Sequence, residues 1–176
     1  MRALVKAGRD PEDAENFIPI GCYEPAVFGR EVSLSGATML YLPCLVLHVL
    51  EDNGEIPSFD AFMEKYLAEL RGTAEKMAAM QARCEKIWPE INPTPLLSAT
   101  YRDCVASGKD VTSGGAKYNT TGCIVSHLAD AVDSLAAIRE LVYRTKACTL
   151  AGLKAALAAD WTGYDKLRRI ALRESP

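Results

Sequence analysis

The sequence has no Cys-x-x-Cys pair, although it contains six cysteines, and it has only two histidines. Zinc and iron–sulfur sites are usually built from closely spaced ligands of these two types, so the pattern argues against a resident metal. We instead expect reduced thiols, packed as small apolar side chains, at Cys44, Cys84, Cys104, Cys123 and Cys148.

An excess of positive charge and a long hydrophobic run are also absent. Lys and Arg number 20 against 23 Asp and Glu, for a net charge of −3, so no basic field favours nucleic acid or an anionic membrane surface. The longest apolar stretch, Met39 to Leu50, contains Pro43 and His48 and is too short to span a bilayer. The opening Met1–Val5 is too short an apolar run for a signal peptide. We therefore expect a cytoplasmic protein with no nucleic-acid or membrane partner.

Hydrophobic spacing predicts a helix-rich chain. With 49% hydrophobic residues, 176 residues can bury one domain-sized core. The spacing predicts a helix over 36–51 that is buried nearly all round, and a long amphipathic helix, capped by Ser58, that reaches about Trp88. We expect the apolar stripe of the long helix, which includes Met80 and Ile87, to pack in the core. Further helices are predicted within 93–107, 130–143, 149–157 and 164–172, and Thr149 is a candidate cap for the third of these.

Few segments favour strands. We expect one over 16–23 and short pieces near Val111 and Ile124. Isolated strands leave backbone groups without partners, so the shortage of strands indicates a chain that is incomplete as a folding unit.

The segment Gly21-Cys22-Tyr23-Glu24-Pro25 carries the candidate chemistry. If it is extended, alternation places Cys22 and Glu24 on the same face. Gly21 allows close approach of another group, and Pro25, which has no N–H, is expected to end regular pairing and leave the pair at a loop tip. Cys-x-Glu alone is a weak motif, because most such pairs are a buried thiol beside a solvated carboxylate.

The glycine-rich stretch Gly108 to Ala116 invites comparison with a phosphate-binding loop. It lacks the P-loop spacing, and Lys109 follows a single glycine. A tight structural turn is the better interpretation.

Several blocks of the sequence occur in one order that resembles the glycyl radical enzymes. The family's loop typically reads Gly-Cys-Val-Glu-Pro, and flanking family segments resemble the blocks on either side of it here. The blocks are Glu12–Phe17, Gly21–Pro25, Ser35–Ala37, Tyr41–Pro43, Pro95–Ser98, Gly108–Asn119 and Asp133–Ile138. The chain is therefore similar to the branch that contains glycerol and propanediol dehydratases, choline lyase and arylacetate decarboxylases.

The resemblance implies a fold and its limits. It implies a helix-rich α/β chain that forms part of a ten-stranded α/β barrel, with 1–176 as a partial pyruvate formate-lyase-like domain. The N-terminal barrel half and the C-terminal Arg-Val-x-Gly-Tyr-like radical loop have no counterpart in the sequence. Tyr23 stands where Val is usual in the family. A single cysteine with a nearby glutamate indicates an eliminase or a decarboxylase rather than a formate-lyase, whose loop has two adjacent cysteines and no such glutamate.

The resemblance also implies the roles of the site residues. Cys22 would carry the thiyl radical that removes a substrate hydrogen, and Glu24 would exchange protons. No cofactor would bind this chain; the glycyl radical would arise on a missing segment through an S-adenosylmethionine-dependent iron–sulfur activating enzyme. The implied partners are a small-molecule substrate, that enzyme, the missing portions and, for a complete enzyme, a second copy. Two alternatives stay open: a non-catalytic remnant or binding subunit of a split radical enzyme, and a helical domain in which Cys22 and Glu24 are unrelated.

Overall fold

The computed structural model describes residues 1–21, 23–52 and 54–174. The chain forms two compact units. The hairpin unit consists of Met1–Met39 and Met77–Ile124, and the helical unit consists of Leu40–Lys76 and the chain from Val125 onward.

The hairpin unit begins with two short helices and a β-hairpin. Helix α1 spans Arg2–Lys6 and α2 spans Pro11–Ala14; strand β1 (Phe17–Ile20) then pairs with β2 (Glu24–Val27) in an antiparallel arrangement. The expected strand over 16–23 is therefore too long, because it ends at Ile20 and the chain turns back.

The expectation that Pro25 ends pairing is wrong. Pro25 lies directly opposite Pro19, inside the ladder. Antiparallel pairs alternate between hydrogen-bonded and non-hydrogen-bonded positions, and two prolines fit only the second kind because neither has an N–H to donate. The backbone hydrogen bond from Phe28 N to Asn16 O is 3.0 Å long. These two residues lie three positions from the Pro19–Pro25 pair, where the alternation requires a hydrogen-bonded position, so the bond agrees with the assignment.

A second strand pair joins β3 (Glu31–Tyr41) to β4 (Tyr118–Ser126). Tyr118 N donates to Arg30 O at 3.0 Å, and six residues further along both strands a Cβ added at Gly36 would lie 3.1 Å from Ile124 Cδ1. The residue numbers of the contacting positions increase together along the two strands, which identifies a parallel pair. In the described residues the two sheets have two strands each, which confirms the expectation of few strands and partial sheets.

Short helical segments built around Asp110 complete the hairpin unit. These are α5 (Pro95–Ser98), α6 (Arg102–Ser107) and a 3₁₀ turn at Val111–Ser113, where a strand was wrongly expected. The Asp110 carboxylate accepts hydrogen bonds from Thr112 N (2.9 Å), Thr94 N (3.0 Å) and Ser98 Oγ (2.8 Å). Hydrogen bonds from Thr112 lead the causes that hold the pKa of Asp110 well below its usual range. The carboxylate fixes the glycine-rich loop against α5, as a structural turn.

The helical unit contains α3 (Leu42–Glu51), the first part of α4 (Phe59–Ile91), α7 (Leu128–Ile138), a π-helical segment (Arg139–Arg144), α8 (Leu150–Ala158) and α9 (Asp165–Glu174). Two predicted caps are confirmed: Ser58 Oγ accepts from Ala61 N at 3.1 Å, and Thr149 Oγ1 accepts from Gly152 N at 3.0 Å. Buried side chains of the unit include Leu45, Val46, Phe62, Tyr66, Ile138, Leu141 and Leu153.

The helix predicted over 36–51 is wrong at its start. Residues 36–41 belong to β3, and the helix begins at Leu42 with Pro43 in its first turn. A helix running through from Gly36 would need the Pro43 N–H to bond a carbonyl four residues earlier, and proline has no such donor.

The long helix α4 is confirmed, but the predicted packing of its stripe is not. Over its 33 residues, all of them described, Phe62 and Tyr66 are buried, whereas Met80 and Ile87 are each 52% exposed. The second part of the apolar stripe faces solvent because no other described residue covers it.

The cysteine expectation is similarly mixed. Cys104 is buried as predicted, and burial raises the pKa of its thiol. Cys148 is half-buried, whereas Cys44, Cys84 and Cys123 are exposed. These three lie on faces of α3, α4 and β4 that the described part of the chain leaves open.

None of the helices described here is both long and apolar enough to cross a membrane.

Substitution of Gly115 tests whether the glycine-rich turn requires a residue without a side chain at this position. A Cβ at this position would lie 2.2 Å from Lys109 O and 2.9 Å from Asp110 O, so Gly115→Ala is expected to lower the free energy of unfolding by roughly 1–3 kcal/mol or more. Gly72, inside α4, has open space around it, and Gly72→Ala is expected to raise that free energy by about 1 kcal/mol. Urea denaturation of the two variants measures both effects, and equal effects would contradict the close approach at Gly115.

Candidate active site

The turn of the β1–β2 hairpin is where the sequence places the candidate chemistry. Ile20 and Glu24 form the last pair, and Tyr23 N donates to Ile20 O at 3.0 Å, so three residues connect the strands. Gly21 and Tyr23 occupy this turn, whereas Glu24, which was expected at the loop tip together with Cys22, is the first residue of β2. Cys22 lies outside the described residues, and its alignment with Glu24 on one face stays a prediction.

The Glu24 carboxylate folds back over the turn. A Cβ added at Gly21 would lie 2.9 Å from Glu24 Oε2, and Gly21 has a φ of +49°. Any other residue at position 21 would therefore meet both backbone strain and the carboxylate. The half-buried carboxylate thus lies against the backbone that leads into Cys22.

Tyr23 is strongly exposed at the turn. Its side chain is 88% exposed and its φ is +79°. A side chain in the left-handed region costs roughly 1–2 kcal/mol, and strained residues of this kind concentrate at functional sites. The position where this chain departs from the usual Val is therefore also the strained one.

The base of the hairpin is held by a buried carboxylate that sequence reasoning missed. Glu31, only 5% exposed, accepts a hydrogen bond from Val27 N through Oε2 at 3.0 Å. Its Oε1 is paired with Arg9 Nη2 and accepts from Thr120 Oγ1 at 3.2 Å. Burial raises the pKa of Glu31, but the bonds from Arg9, the Val27 amide and Thr120 together lower it. The side chain is therefore ionised at neutral pH.

Asp13 forms a second polar cluster beside it. Its carboxylate contacts Lys117 Nζ at 2.6 Å, Arg30 Nη1 at 2.7 Å and the Tyr118 hydroxyl at 2.8 Å. The Lys117 ammonium, followed by the Arg30 guanidinium, holds the pKa of Asp13 well below its usual range. The contacts with Lys117 and Tyr118 join the sequence block of Glu12–Phe17 to that of Gly108–Asn119. The only sequence signal for these contacts was the presence of opposite charges in the two blocks.

A cleft of about 580 Å³ lies elsewhere in the hairpin unit. It is lined by residues that include Val32, Leu34, Trp88, Thr94 and Leu97. The described residues of the hairpin turn do not line this cleft, so the cleft and the candidate chemistry occupy different places. Among the residues described, no group of three or more His, Cys, Asp or Glu is arranged to hold a metal ion.

Comparison with known proteins shows what this architecture is. A family model described as pyruvate formate lyase-like matches residues 1–176. The chain belongs to the pyruvate formate lyase-like family. The expected resemblance is confirmed.

The relatives of this pyruvate formate lyase-like chain include several dehydratases. The (2S)-3-sulfopropanediol dehydratase of Klebsiella oxytoca is 27% identical over 183 residues, which cover 95% of this chain and 22% of the relative. The trans-4-hydroxy-L-proline dehydratase of Clostridioides difficile is 28% identical over 193 residues, which cover 100% and 24%. The chain thus spans about a quarter of the length of the curated relatives it matches.

The fold agrees with solved structures of the same family. The glycerol-bound B12-independent glycerol dehydratase from Clostridium butyricum superposes with a TM-score of 0.85 at 27% identity, over 99% of this chain and 24% of that one. A glycyl radical enzyme from Archaeoglobus fulgidus gives 0.83 at 29% identity, over 99% and 24%. The predicted helix-rich α/β class, with partial sheets of the glycyl radical enzyme type, is confirmed.

Two substitutions of Tyr23 separate backbone strain from side-chain loss. Tyr23→Ala removes the side chain and keeps the strain, whereas Tyr23→Gly removes both. We expect the glycine variant to be more stable than the alanine variant by about 1 kcal/mol, the reverse of the order seen in regular structure. Thermal and urea unfolding of both variants measure the difference, and an alanine variant of equal or greater stability would show that the turn is unstrained.

The Asp13 cluster makes stability depend on pH. The folded pKa of Asp13 lies below the unfolded value of about 3.9, so its contribution is present above pH 4 and is lost as pH falls through the folded pKa. Asp13→Asn is expected to cost roughly 1.5–3 kcal/mol at pH 7 and less at pH 3. Urea unfolding at the two pH values checks this. The exposed Asp60 supplies the control, since Asp60→Asn should change stability little at either pH.

Proposed function

We propose that this chain supplies the thiyl-cysteine portion of a glycyl radical dehydratase. The observation that carries the proposal is the sequence Cys22-x-Glu24, whose glutamate begins strand β2 of an anchored hairpin, in a chain that the pyruvate formate lyase-like family model matches over its whole length. Cys22 is the hydrogen-abstracting residue and Glu24 the proton-transferring one. The domain that carries the loop is a partial pyruvate formate-lyase-like domain over 1–176.

Cys22 acts through its sulfur. As a thiyl radical, it takes a hydrogen atom from a substrate carbon, forming an S–H bond and leaving an unpaired electron on that carbon. The same S–H bond later returns its hydrogen atom to the product radical, so Cys22 is regenerated in each cycle. Acid–base groups alone cannot remove such an unactivated hydrogen at neutral pH.

Glu24 handles the proton that accompanies loss of water. Its carboxylate takes a proton from the hydroxyl on the radical carbon and passes that proton to the hydroxyl leaving the adjacent carbon, which departs as water and regenerates the carboxylate. The position of its Oε2 against Gly21, beside the turn, supports this role, because it keeps the base within the short segment that contains Cys22.

Radical generation requires a glycyl radical on another segment, installed by an S-adenosylmethionine-dependent iron–sulfur activating enzyme. The exposure of Tyr23 supports access of a second segment to the tip. The complete enzyme is cytoplasmic and a homodimer in this proposal.

The substrate class is a small hydroxylated molecule. The matched relatives are named for sulfopropanediol, hydroxyproline and glycerol, and a further solved structure concerns 1,2-propanediol dehydration in Roseburia inulinivorans. Elimination of water from such a molecule is therefore better supported than decarboxylation.

The proposal requires further chain, and one observation also favours a pure binding role. Apolar side chains of the hairpin unit are strongly exposed, among them Ile91 at 75% and Leu96 at 87%. Exposed apolar side chains that form a contiguous patch mark surfaces that pack against a partner. A binding subunit of a split radical enzyme, without chemistry at Cys22, is the second candidate.

The test combines this chain with the remaining segments of the enzyme and its activating enzyme, and measures loss of a 1,2-diol. Cys22→Ser is expected to abolish turnover, and Glu24→Gln to reduce it by roughly 10²–10⁴-fold, while the glycyl radical signal in electron paramagnetic resonance persists in both. Cys84→Ser changes an exposed cysteine far along the sequence and should leave turnover intact. Full turnover by Cys22→Ser would eliminate the catalytic proposal and favour the binding subunit.

A further inference from the structure

The anchoring of the hairpin can be derived from its register. The Pro19–Pro25 pair occupies a non-hydrogen-bonded position, so Phe17–Val27, two steps along, occupies another. In such pairs the backbone N–H points away from the partner strand. The Val27 N–H therefore points away from β1, and because Val27 is almost completely buried, this donor needs a partner outside the ladder.

Glu31 supplies that partner. Its Oε2 accepts from Val27 N at 3.0 Å, while a turn bond from Arg30 N to Val27 O, 3.2 Å long, closes the same short segment. Pro25 offers no outward donor on the same edge. The Glu31 carboxylate thus accepts from Val27 N, the outward-pointing donor at the end of β2 that lies away from the turn.

The other oxygen of Glu31 connects this contact to distant segments. Arg9, from the loop after α1, is paired with Oε1, and Thr120 of β4 donates to the same atom at 3.2 Å. Arg9 Nη2 also donates to Thr120 Oγ1 at 2.8 Å, and its guanidinium lies 5.6 Å from the centre of the Tyr118 ring. One buried carboxylate therefore joins the hairpin, the N-terminal loop and β4.

We propose that Glu31 is a positioning residue that fixes the hairpin carrying Cys22 and Glu24, with Arg9 holding its carboxylate against the Val27 amide. The relevance of this position to catalysis rests on the proposed function; the anchoring itself does not. A two-stranded hairpin is marginally stable alone, so its orientation depends on what holds its base. Loss of the anchor would let the tip open locally while the rest of the fold persists.

The decisive variant is Glu31→Gln, which preserves shape and removes the charge. An amide presents an NH₂ group where the carboxylate presented an acceptor, so either Arg9 or Val27 loses its acceptor. In the full chain, hydrogen exchange of the amides at 23–27 is expected to accelerate roughly tenfold or more, equivalent to about 1.4 kcal/mol of local opening. Amides of α8 should exchange at the parental rate.

Matched variants distinguish positioning from general weakening. Glu140→Gln makes the same change at the ion pair with Arg144 and should leave exchange at 23–27 unchanged. Thr120→Val removes one hydroxyl contact from Glu31 at nearly constant shape and should accelerate the same amides by a smaller factor; this variant decides the matter if Glu31→Gln does not fold. Arg9→Met combined with Glu31→Gln should accelerate exchange less than the product of the two single effects, because both remove one interaction.

Hydrogen exchange and turnover together distinguish the positioning role of Glu31 from the catalytic role of Cys22. Unchanged exchange at 23–27 in Glu31→Gln, or equal acceleration in α8, would overturn the positioning role. These exchange measurements need no radical and no substrate. If Cys22→Ser retains turnover while Glu31→Gln still loosens the hairpin, the catalytic proposal fails and the anchor stands. In the completed enzyme, a positioning role predicts a fall in kcat for Glu31→Gln with little change in KM.

Discussion

The buried Glu31 carboxylate is the interaction on which the position of the β1–β2 hairpin depends. A carboxylate removed from water is costly unless it is paired and hydrogen-bonded, and here the Arg9 guanidinium, the Val27 amide and the Thr120 hydroxyl provide that compensation. Each partner comes from a different part of the chain. The desolvation that would otherwise destabilise the fold therefore makes the geometry specific, because displacing any one segment leaves a buried charge without a full set of partners.

The parallel β3–β4 sheet is small, and apolar side chains of the described chain remain exposed. Parallel strands are usually covered on both faces and occur in larger sheets, since their crossovers place helices on those faces. In the described residues the sheet has two strands, while much of the apolar stripe of α4 faces solvent. The chain, which spans about a quarter of its relatives' length, forms the Glu31 and Asp13 clusters from its own residues, although Arg9 Nε and Arg30 Nε find no hydrogen-bond partner among the described residues. The specific polar contacts are thus made within the chain, whereas part of its apolar surface is left exposed by the residues described.

Features encoded by neighbouring residues could be predicted, and those that need distant partners could not. The caps at Ser58 and Thr149 and the long helix α4 follow from patterns within a few residues, and the structure confirms them. The prediction that Pro25 ends pairing was wrong because the effect of this proline depends on the residue opposite it. The strand register decides which residue that is, and the sequence of one strand does not determine the register. The Glu31 and Asp13 clusters were missed because their partners lie up to about a hundred residues away along the chain.

The hairpin combines a rigid base with a strained tip, and the two properties depend on each other. Positive φ at Tyr23 raises the energy of the turn, and such strain persists only where the surroundings fix the backbone. The anchor at Val27 and the proline pair supply that constraint without lengthening the strands, since the outward donor is satisfied and the prolines need none. This arrangement suits the proposed radical chemistry, because hydrogen transfer demands short and reproducible distances. A loosely held loop would lose that reproducibility even with the same residues at its tip.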